Sequence, residues 1–595
     1  MGRLLITSDF SIKDRLNNIF KKNGFKPNGD ANDMIVYDKL NTSVCNFVKT
    51  KTGYISCAGT VVYKSQIGEK ALVEIYDDID KIGINNVRYN IIGSYVIALK
   101  KNDKEIVFVD QLNTYNYYYY FDGAKYICLN TMYHIAKMVG TSLCRKNYLV
   151  YAATLFCSGG KTPFEGIYQL MGNQMIVIED GEFRIENLEV VKKEYSINSR
   201  EEAIKYLTEA LDKILVQRRK LFNKSKLFLT GGVDSRLEYA MHLWANEQVA
   251  ASYWLGDDMI TNGREEDAEL CRQLAKDFGS EYELHDVTGK IKEGIDDITS
   301  DKCDKYGEYV MLYGNNAKWF SIFEKLDNKV DFINLGYMGE ALRDISDLDE
   351  HFHEGYTIKD LACDMFCRFG IEQEVFVREK NEIINLIEKE IVEDFNQNEN
   401  NALDLNKASK IFTIRRLFTD SKMTNFANLF TYSFQIFATP AIWDIIMCIP
   451  YNIMKNSAIA ISLIDYYKRD LLEKPFFSHH HVERYDKKDA KLKASLKHVL
   501  RMKIQPIVVN TWFFDKVMLN IVAKYLYPFT KKNDEIFNVC NKVIEDTDIL
   551  VKNDIEYVLP NSYRKLNLSA YVQQIVFLRV VETIKEDKKG KQGVK

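Results

Sequence analysis

The first 190 residues alternate short hydrophobic runs with polar turn residues, which is the pattern of β-strands. Six runs are rich in β-branched and aromatic residues, and turn-forming residues bound them. They cover residues 54–63, 90–101, 105–110, 115–122, 125–129 and 173–180. This spacing predicts stacked or paired sheets rather than β-α-β units.

The hydrophobic period changes after residue 198. Ser199 is followed three residues later by Glu202, which is the sequence of a capping box at a helix start. Apolar residues then recur at helical spacing between residues 204 and 214, so an amphipathic helix is predicted. The change predicts a domain boundary near residues 190–200.

Strands and helices alternate over the next part of the chain. The predicted strands are residues 226–230, 249–255, 282–287 and 331–336, with helices at 234–247 and 264–278. This rhythm predicts an open parallel sheet. From about residue 355 the pattern is mostly helical, and the charged residues 586–595 are predicted to form a disordered tail.

Composition places the chain among globular proteins. It has 595 residues, of which 46% are hydrophobic and 28% charged, with a formal net charge of −4. The tyrosines at 117–120 fit either a stacking platform for single-stranded nucleic acid or a strand buried on one face. The chain is acidic and no basic residues lie between the tyrosines. The buried strand is therefore favoured, and no nucleic-acid partner is predicted.

Cysteine usage and hydropathy bear on the cellular compartment. The 11 cysteines are scattered and odd in number, which indicates free thiols in a reducing compartment. The N-terminal residues are too quickly polar for a signal peptide, and there is no apolar run of 18 residues that would cross a membrane. The sequence therefore predicts a cytoplasmic protein without a membrane span.

Residues 227–240, LFLTGGVDSRLEYA, carry the clearest chemistry. A buried strand leads into a two-glycine turn and then a helix. Glycines let a ligand approach the main chain, and the helix start offers unpaired N–H groups and a positive dipole end. With the hydroxyls of Thr230 and Ser235, this predicts a cradle for pyrophosphate. Asp234 would repel that anion unless a divalent cation lay between them, which predicts Mg²⁺.

Spacing excludes two other phosphate-binding motifs. No lysine follows the glycines as it does in a Walker loop, and the third glycine of a dinucleotide-binding fingerprint is missing. On spacing alone, a plain strand–helix corner remains an alternative to a binding loop.

The hexapeptide TGGVDS at 230–235 resembles the [ST]-G-G-x-D-S pyrophosphate loop of the ATP-pyrophosphatase enzymes. The whole chain resembles the asparagine synthetase family, which includes β-lactam synthetases and lasso-peptide cyclases. Further stretches that resemble this family follow in order at residues 93–120, 161–183, 264–287, 333–343 and 437–450.

The resemblance implies a two-part fold. Residues 1–192 would form an α+β sandwich of the glutaminase, or Ntn-hydrolase, type in a degenerate form. Residues 198–585 would form an α/β parallel-sheet adenylating domain, with a helical part from about residue 355.

The resemblance also implies a site for ATP and Mg²⁺. The ATP-binding residues would be Leu229, Thr230, Gly231, Gly232, Val233, Asp234, Ser235, Leu255, Gly256, Leu335 and Gly336. Asp234 and Glu340 would be the catalytic residues and would hold the metal. A lysine would stabilise the transition state, and the candidates are Lys455, Lys468, Lys474, Lys487 and Lys488.

Two departures from the family change the expectation. The glutaminase members have a catalytic cysteine after the initiator Met, whereas this chain has Gly2, so no glutamine hydrolysis is predicted. In the second nucleotide loop, the family's aspartate position falls on Gly339, with Glu340 beside it. We expect Glu340 to supply the second carboxylate; the alternative is that it caps the next helix.

Together these features predict an ATP-dependent amide-bond-forming ligase. It would activate a small-molecule or peptide carboxylate as an acyl-adenylate, release pyrophosphate and transfer the acyl group to an amine. An ammonia-dependent asparagine synthetase is one alternative, and a non-catalytic scaffold or binding protein derived from the family is another. A homodimer is considered as the assembly.

Overall fold

The computed structural model describes most of the chain. The described residues are 2–31, 33–255, 264–286, 299–310, 320–326, 330–343, 348, 352–366, 380–396, 402–478, 481–483, 580–581 and 583–584. Gly256, Lys487, Lys488 and the predicted tail at 586–595 lie outside them.

Two six-stranded antiparallel sheets form within the described residues up to 190. Their strands are β1 (Arg3–Thr7), β2 (Pro27–Asp30), β3 (Met34–Tyr37), β4 (Phe47–Lys49), β5 (Gly53–Gly59), β6 (Tyr95–Lys101), β7 (Lys104–Val109), β8 (Tyr118–Phe121), β9 (Tyr126–Leu129), β10 (Ile167–Gln169), β11 (Gln174–Glu179) and β12 (Glu182–Asn187). The spatial orders are β10-β8-β9-β1-β3-β2 and β12-β11-β7-β6-β5-β4. The predicted paired sheets are confirmed.

An apolar layer lies between the two sheets. Leu4 and Val36 of the first sheet pack in one cluster with Val96 and Val107 of the second, and all four are buried. Helices cover the outer faces: α1 (Phe10–Lys22), α2 (Gly68–Ile82), α3 (Ile84–Asn90), α4 (Met132–Val139) and α5 (Arg145–Thr154). The strand-based prediction for this part includes none of these helices, although α1 and α2 bury apolar residues at helical spacing.

Three predicted strands in this part are too long, and the run 115–122 forms a strand only over Tyr118–Phe121. The run 54–63 ends as a strand at Gly59, where φ is 93° and a Cβ would lie 2.2 Å from the Ser94 carbonyl oxygen. The run 90–101 begins as a strand only at Tyr95, because helix α3 occupies the residues up to Asn90.

Helix α6 (Arg200–Leu221) opens the second part of the chain. The Ser199 hydroxyl accepts a hydrogen bond from the Glu202 N–H at 3.2 Å, as a capping residue does. The Glu202 carboxylate instead accepts from the Asn198 N–H at 2.8 Å. The predicted capping box is therefore only half formed.

A four-stranded parallel sheet follows, as the sequence predicts. Its strands are β13 (Lys224–Phe228), β14 (Gln248–Leu255), β15 (Glu281–Asp286) and β16 (Phe332–Asn334), in the spatial order β15-β14-β13-β16. Helices α7 (Val233–Trp244) and α8 (Arg264–Asp277) follow the first two strands. The strand order reverses between β13 and β16, and ligands of such sheets bind outside the carboxyl ends of the strands at that point.

Helices dominate the described residues after 355, which confirms that prediction. The later elements are α9 (Ser300–Tyr306), α10 (Phe320–Glu324), α11 (Ile358–Met365), α12 (Lys380–Phe395), α13 (Leu405–Ala427), α14 (Pro440–Cys448), α15 (Tyr451–Met454), α16 (Ala458–Lys468), β17 (Phe476–Ser478) and β18 (His481–Glu483). Short 3₁₀ helices cover Ser158–Gly160, Gly339–Leu342, Ile436–Ala438, Lys455–Ser457 and Arg469–Glu473.

The antiparallel and parallel parts share apolar packing. One cluster joins Phe20 and Tyr133 of the first part to Tyr306 and Phe426 of the second. Within the described ranges, all nine cysteines are free thiols, and no helix is long and apolar enough to cross a membrane. The proposed division into two domains stays a prediction.

Candidate functional site

The turn after β13 is held by two hydroxyl side chains. Leu229 continues the pairing with β14, because its N–H donates to the Ser252 carbonyl at 3.0 Å. The Ser235 hydroxyl accepts from the Thr230 N–H and donates to the Thr230 carbonyl, both at 2.9 Å. The two hydroxyl oxygens lie 2.8 Å apart. Thr230 and Ser235 therefore fix the shape of this turn.

Gly231 is a crowded position. Its N–H donates to Asp267 Oδ1 at 2.6 Å, and a Cβ there would lie 2.7 Å from Leu270 Cδ2. Only a residue without a side chain fits this contact. The amide that we expected to face a phosphate is bonded to a carboxylate of α8 in this structure.

The first turn of α7 has no side-chain cap, although the Gly232 N–H donates to the Thr230 hydroxyl at 3.3 Å. Gly232 is its N-terminal capping residue and provides no side-chain cap. Val233 is the first helical residue and is buried. The N–H groups of such a first turn have no partner within the helix, and they lie at the positive end of its dipole.

The second predicted loop lies directly against this turn. Gly336 has a φ of 68°, and a Cβ there would lie 2.9 Å from Ser235 Cβ. At Gly339 a Cβ would lie 2.7 Å from Asp234 Cβ and 2.9 Å from Asp234 Cα. Asn334 Oδ1 accepts from the Gly336 N–H at 2.9 Å and holds the loop start. An aspartate at position 339 would therefore not fit beside Asp234.

Carboxylates and guanidinium groups alternate where the two loops meet. Arg343 Nε and Nη2 donate to Asp234 Oδ1 and Oδ2 at 3.0 and 2.9 Å, and Nη2 lies 3.7 Å from Glu340 Oε1. Arg416 Nε, on α13, lies 3.4 Å from Glu340 Oε2 and 2.9 Å from Asp420 Oδ2. We call these five residues the charge row; they are Asp234, Arg343, Glu340, Arg416 and Asp420.

The Glu340 side chain forms ion pairs in the charge row and does not cap a helix. Glu340 lies in the 3₁₀ helix Gly339–Leu342, whose N-terminal capping residue, Met338, makes no side-chain cap. The Glu340 carboxylate faces two guanidinium groups instead. The structure thus brings Asp234 and Glu340 together, as the sequence predicts.

Burial raises the pKa values of two carboxyl groups in the charge row and of a neighbouring tyrosine. It raises the pKa of Asp420 to about 8, against the opposing effect of Arg416, and the neighbouring Glu340 raises it further. Burial also raises the pKa of Asp234, while the Arg343 guanidinium opposes that shift. Tyr337, which is half-buried beside the row, has its pKa raised to about 12, mainly by desolvation.

Two carboxylates suit a magnesium ion that is shared with phosphate groups. In the part of the chain that the structure describes, no group of three or more His, Cys, Asp or Glu side chains is arranged to hold a metal alone. Mg²⁺ in nucleotide sites is usually held by one or two carboxylates together with substrate phosphates. Asp234 and Glu340 fit that requirement.

The residues predicted around adenine are only partly brought together. Leu229 and Leu255 are buried in one apolar cluster, whereas Leu335 is buried in another. Leu255 ends β14, and Gly256 lies outside the described residues. Of the candidate lysines, Lys468 pairs with Asp470 and Lys474 with Asp277, while Lys455 begins a short 3₁₀ helix.

The sequence does not indicate the two positively charged residues of the charge row, Arg343 and Arg416. Arg416 and Asp420 are four residues apart on α13, a spacing typical of a helical ion pair, but nothing in the sequence connects them to Glu340. Arg343 lies 109 positions from its partner Asp234. Such long-range pairs cannot be read from one sequence.

The predicted loss of a nucleophile at residue 2 has a counterpart in packing. The Gly2 N–H donates to the Tyr37 carbonyl at 3.0 Å, and a Cβ would lie 2.7 Å from the Asp38 carbonyl oxygen and 3.1 Å from the Phe25 ring. Cys57, a thiol in the same part of the chain, does not replace the missing nucleophile, because burial raises its pKa to about 12. A thiol that stays protonated at neutral pH is a poor nucleophile.

Comparisons with known proteins give little more. No protein-family model and no curated protein matches the chain. Among solved structures, it is similar to glutamine phosphoribosylpyrophosphate amidotransferase from B. subtilis complexed with ADP and GMP, at 9% identity over 48% of this chain and 81% of that one, with a TM-score of 0.23. A structure described as the allosteric regulatory enzyme of purine biosynthesis has 11% identity, 48% and 80% coverage, and a TM-score of 0.23. A TM-score of 0.23 carries no argument for a shared fold or activity.

Proposed function

We propose that this protein is an ATP-dependent amide-bond-forming ligase of the asparagine synthetase type. One observation carries the proposal. Asp234, in the first turn of α7 after β13, and Glu340, in the 3₁₀ helix after β16, both contact the Arg343 guanidinium. A parallel sheet presents its ligand site at this point, and ATP with Mg²⁺ has the charges that the site complements.

Positively polarised groups and carboxylates would bind different parts of the substrate complex. The first-turn N–H groups of α7 would hold the leaving pyrophosphate, and Asp234 and Glu340 would hold Mg²⁺. Mg²⁺ would neutralise phosphate charge as the substrate carboxylate attacks the α-phosphate to give an acyl-adenylate. An amine then displaces AMP and forms the amide. Removing one such electrostatic contact costs roughly 3–4 kcal/mol of transition-state stabilisation in other enzymes.

The first part of the chain would act as a degenerate Ntn-type sandwich without glutaminase activity. Gly2 has no side chain and no space for one, which supports an amine that does not come from glutamine. The acyl acceptor would be an amine of the substrate itself, a separate amine or free ammonia. The acid would be a small molecule or a peptide carboxylate.

Pyrophosphate exchange tests the proposal. The full chain is incubated with ATP, Mg²⁺, labelled pyrophosphate and a panel of amino acids, small acids and peptides, including aspartate. We expect one acid class to support exchange, and Asp234→Asn to reduce it at least about 100-fold. Asp301→Asn, which removes an exposed ion pair with Lys22, is the matched control and should leave exchange unchanged.

A non-catalytic scaffold is the second candidate. Two contacts favour it, because Arg343 engages both oxygens of Asp234, and the Gly231 N–H is bonded to Asp267. Calorimetry with ATP and Mg²⁺ separates the candidates. Nucleotide binding without acid-dependent exchange would favour a nucleotide-binding scaffold, and the absence of both would reject the ligase.

A further inference from the structure

Arg343 occupies the space between the two carboxylates that would hold a cation. Its guanidinium makes a two-pronged contact with Asp234, with donor–acceptor distances of 3.0 and 2.9 Å. The same Nη2 atom lies 3.7 Å from Glu340 Oε1. Both oxygens of Asp234 are therefore engaged, and a metal ion cannot approach the pair from this side unless the guanidinium moves.

The contact is placed so that it can be exchanged. The side chains of Asp234 and Arg343 keep 17% and 29% of their surface exposed. Arg343 directly follows the 3₁₀ helix Gly339–Leu342, and its N–H donates to the Glu340 carbonyl at 3.1 Å. Its main chain is thus fixed beside the site, while its side chain reaches the solvent side of the carboxylates.

We propose that Arg343 is a built-in substitute for the divalent cation and that it admits the metal only together with a phosphate ligand. This inference rests on the proposed ATP site. A guanidinium can bind either a phosphate or a carboxylate through two parallel hydrogen bonds, so one can replace the other as its partner. When triphosphate enters, Arg343 moves from Asp234 to a phosphate oxygen and leaves both Asp234 oxygens and Glu340 Oε1 to the metal, while Arg416 keeps its contact with Glu340 Oε2. Without nucleotide, the metal competes with an arginine that is tethered to the site.

This arrangement makes tight binding of the metal depend on the nucleotide. Two carboxylates facing one another without a cation repel, so a positive group must stay between them in the empty site. A tethered guanidinium meets that need and keeps free metal out. The protein therefore binds divalent metal weakly alone and tightly with nucleotide.

Manganese binding to the full chain without nucleotide tests this role, because electron paramagnetic resonance reports free Mn²⁺ directly. We expect the wild-type protein to bind Mn²⁺ weakly at this site. Arg343→Gln should tighten binding at least about tenfold and add one site, and the double variant Arg343→Gln with Asp234→Asn should lose that gain.

Arg272→Gln is the matched control. Arg272 makes a two-pronged contact with Glu269 at 2.6 and 2.7 Å on the exposed face of α8, so its loss should leave Mn²⁺ binding unchanged. Arg343→Lys, which keeps a positive charge but loses the fork, should give intermediate affinity, and it tests the proposal independently if Arg343→Gln does not fold.

Two outcomes overturn the proposal: equal Mn²⁺ affinity in the wild-type and Arg343 variants, or a gain that survives removal of the Asp234 carboxylate. Neither measurement uses ATP or an acid. A gain of Mn²⁺ affinity without any exchange activity would therefore reject the ligase and retain the role of Arg343.

Discussion

Gly339 shows how a single position limits the chemistry of this site. Its missing side chain leaves room for Asp234, whose Cα and Cβ would lie 2.9 and 2.7 Å from an added Cβ. A carboxylate for the proposed metal can therefore come from position 340 but not from position 339. Glu340 reaches the site with a longer side chain from the next residue.

Gly339→Ala should displace Asp234 and break its contact with Arg343. Because backbone atoms are involved, we expect a loss of about 1–3 kcal/mol in the free energy of unfolding and a large loss of exchange activity. Denaturant unfolding measures the first effect. Gly232→Ala is the comparison for stability, since its Cβ would meet only the Thr230 hydroxyl, at 3.3 Å. Equal stability of the two variants would contradict the packing argument.

Glu105 makes stability depend on pH. It is buried, the Tyr54 hydroxyl donates to Oε1 at 2.6 Å, and desolvation raises its pKa from 4.5 to about 8. Between these pH values the folded state holds a proton that the unfolded state releases, so its stabilising contribution is complete below pH 4.5 and falls as pH rises towards 8. The slope from this group is at most about 1.4 kcal/mol per pH unit.

Glu105→Gln should remove that slope, because an amide keeps the Tyr54 contact and does not titrate. Thermal unfolding of both proteins between pH 5 and 8 measures the difference. We expect the variant to gain stability relative to the wild type as pH rises. A constant difference across this range would show that Glu105 does not carry the pH dependence.

At the scale of elements, one arginine ties α7 to the chain segment that follows α16. Arg236 is buried, and its guanidinium donates to the carbonyls of Leu471 and Lys474, each at 3.1 Å, and of Pro475 at 2.5 Å. Beside it, the Phe477 N–H donates to the Gly231 carbonyl at 2.9 Å. The predicted nucleotide turn is thus braced by β17.

Arg236→Lys should loosen this brace, because an ammonium cannot satisfy several carbonyls spread around a planar fork. Each carbonyl left unpaired costs about 1–3 kcal/mol. We expect hydrogen exchange at the Phe477 amide to accelerate at least about tenfold. Arg272→Lys, on the exposed face of α8, serves as the control and should not change that exchange rate.

The elements differ in how far the sequence predicts them. The parallel sheet is predicted because its first two strands are short apolar runs, each with a helical pattern after it. The Ser199 cap is predicted, but the reciprocal half of its box is not, since Glu202 finds the Asn198 amide instead. Helices α1–α5 are not predicted, although the apolar residues of α1 and α2 recur at helical spacing, because the prediction rests on the aromatic and β-branched runs between the helices.

At the scale of the whole molecule, a buried polar junction joins the two parts. Asn428 at the end of α13 accepts at Oδ1 from Lys39 Nζ at 2.9 Å and from the Thr60 hydroxyl at 2.7 Å. Its own carbonyl accepts from Lys39 Nζ at 2.8 Å. All three residues are buried, so these bonds have no water to replace them.

Asn428→Ala should destabilise the whole chain by roughly 2–4 kcal/mol, because it removes the acceptor of the buried Thr60 hydroxyl and one of the two acceptors of Lys39 Nζ. The shared apolar cluster predicts that both parts respond in one unfolding transition, followed by circular dichroism and tyrosine fluorescence. Asn86→Ala, at an exposed asparagine of α3, is the control. Separate transitions for the two parts would contradict the shared core.

As with the fold, only the parts of the site whose geometry depends on nearby residues in the sequence are predicted. The positions of Asp234 and Glu340 follow from the strand–turn–helix pattern and from the family resemblance. The guanidinium partners do not, because Arg343 and Arg416 meet those carboxylates only when β13, β16 and α13 are packed together.

The filled space around Gly2 makes the absence of a thiol there difficult to reverse. A cysteine introduced at this position would collide with a main-chain oxygen and an aromatic ring that are both already in place. Placing a reactive sulfur there would therefore require rebuilding Phe25 and the path of the chain at Asp38 as well.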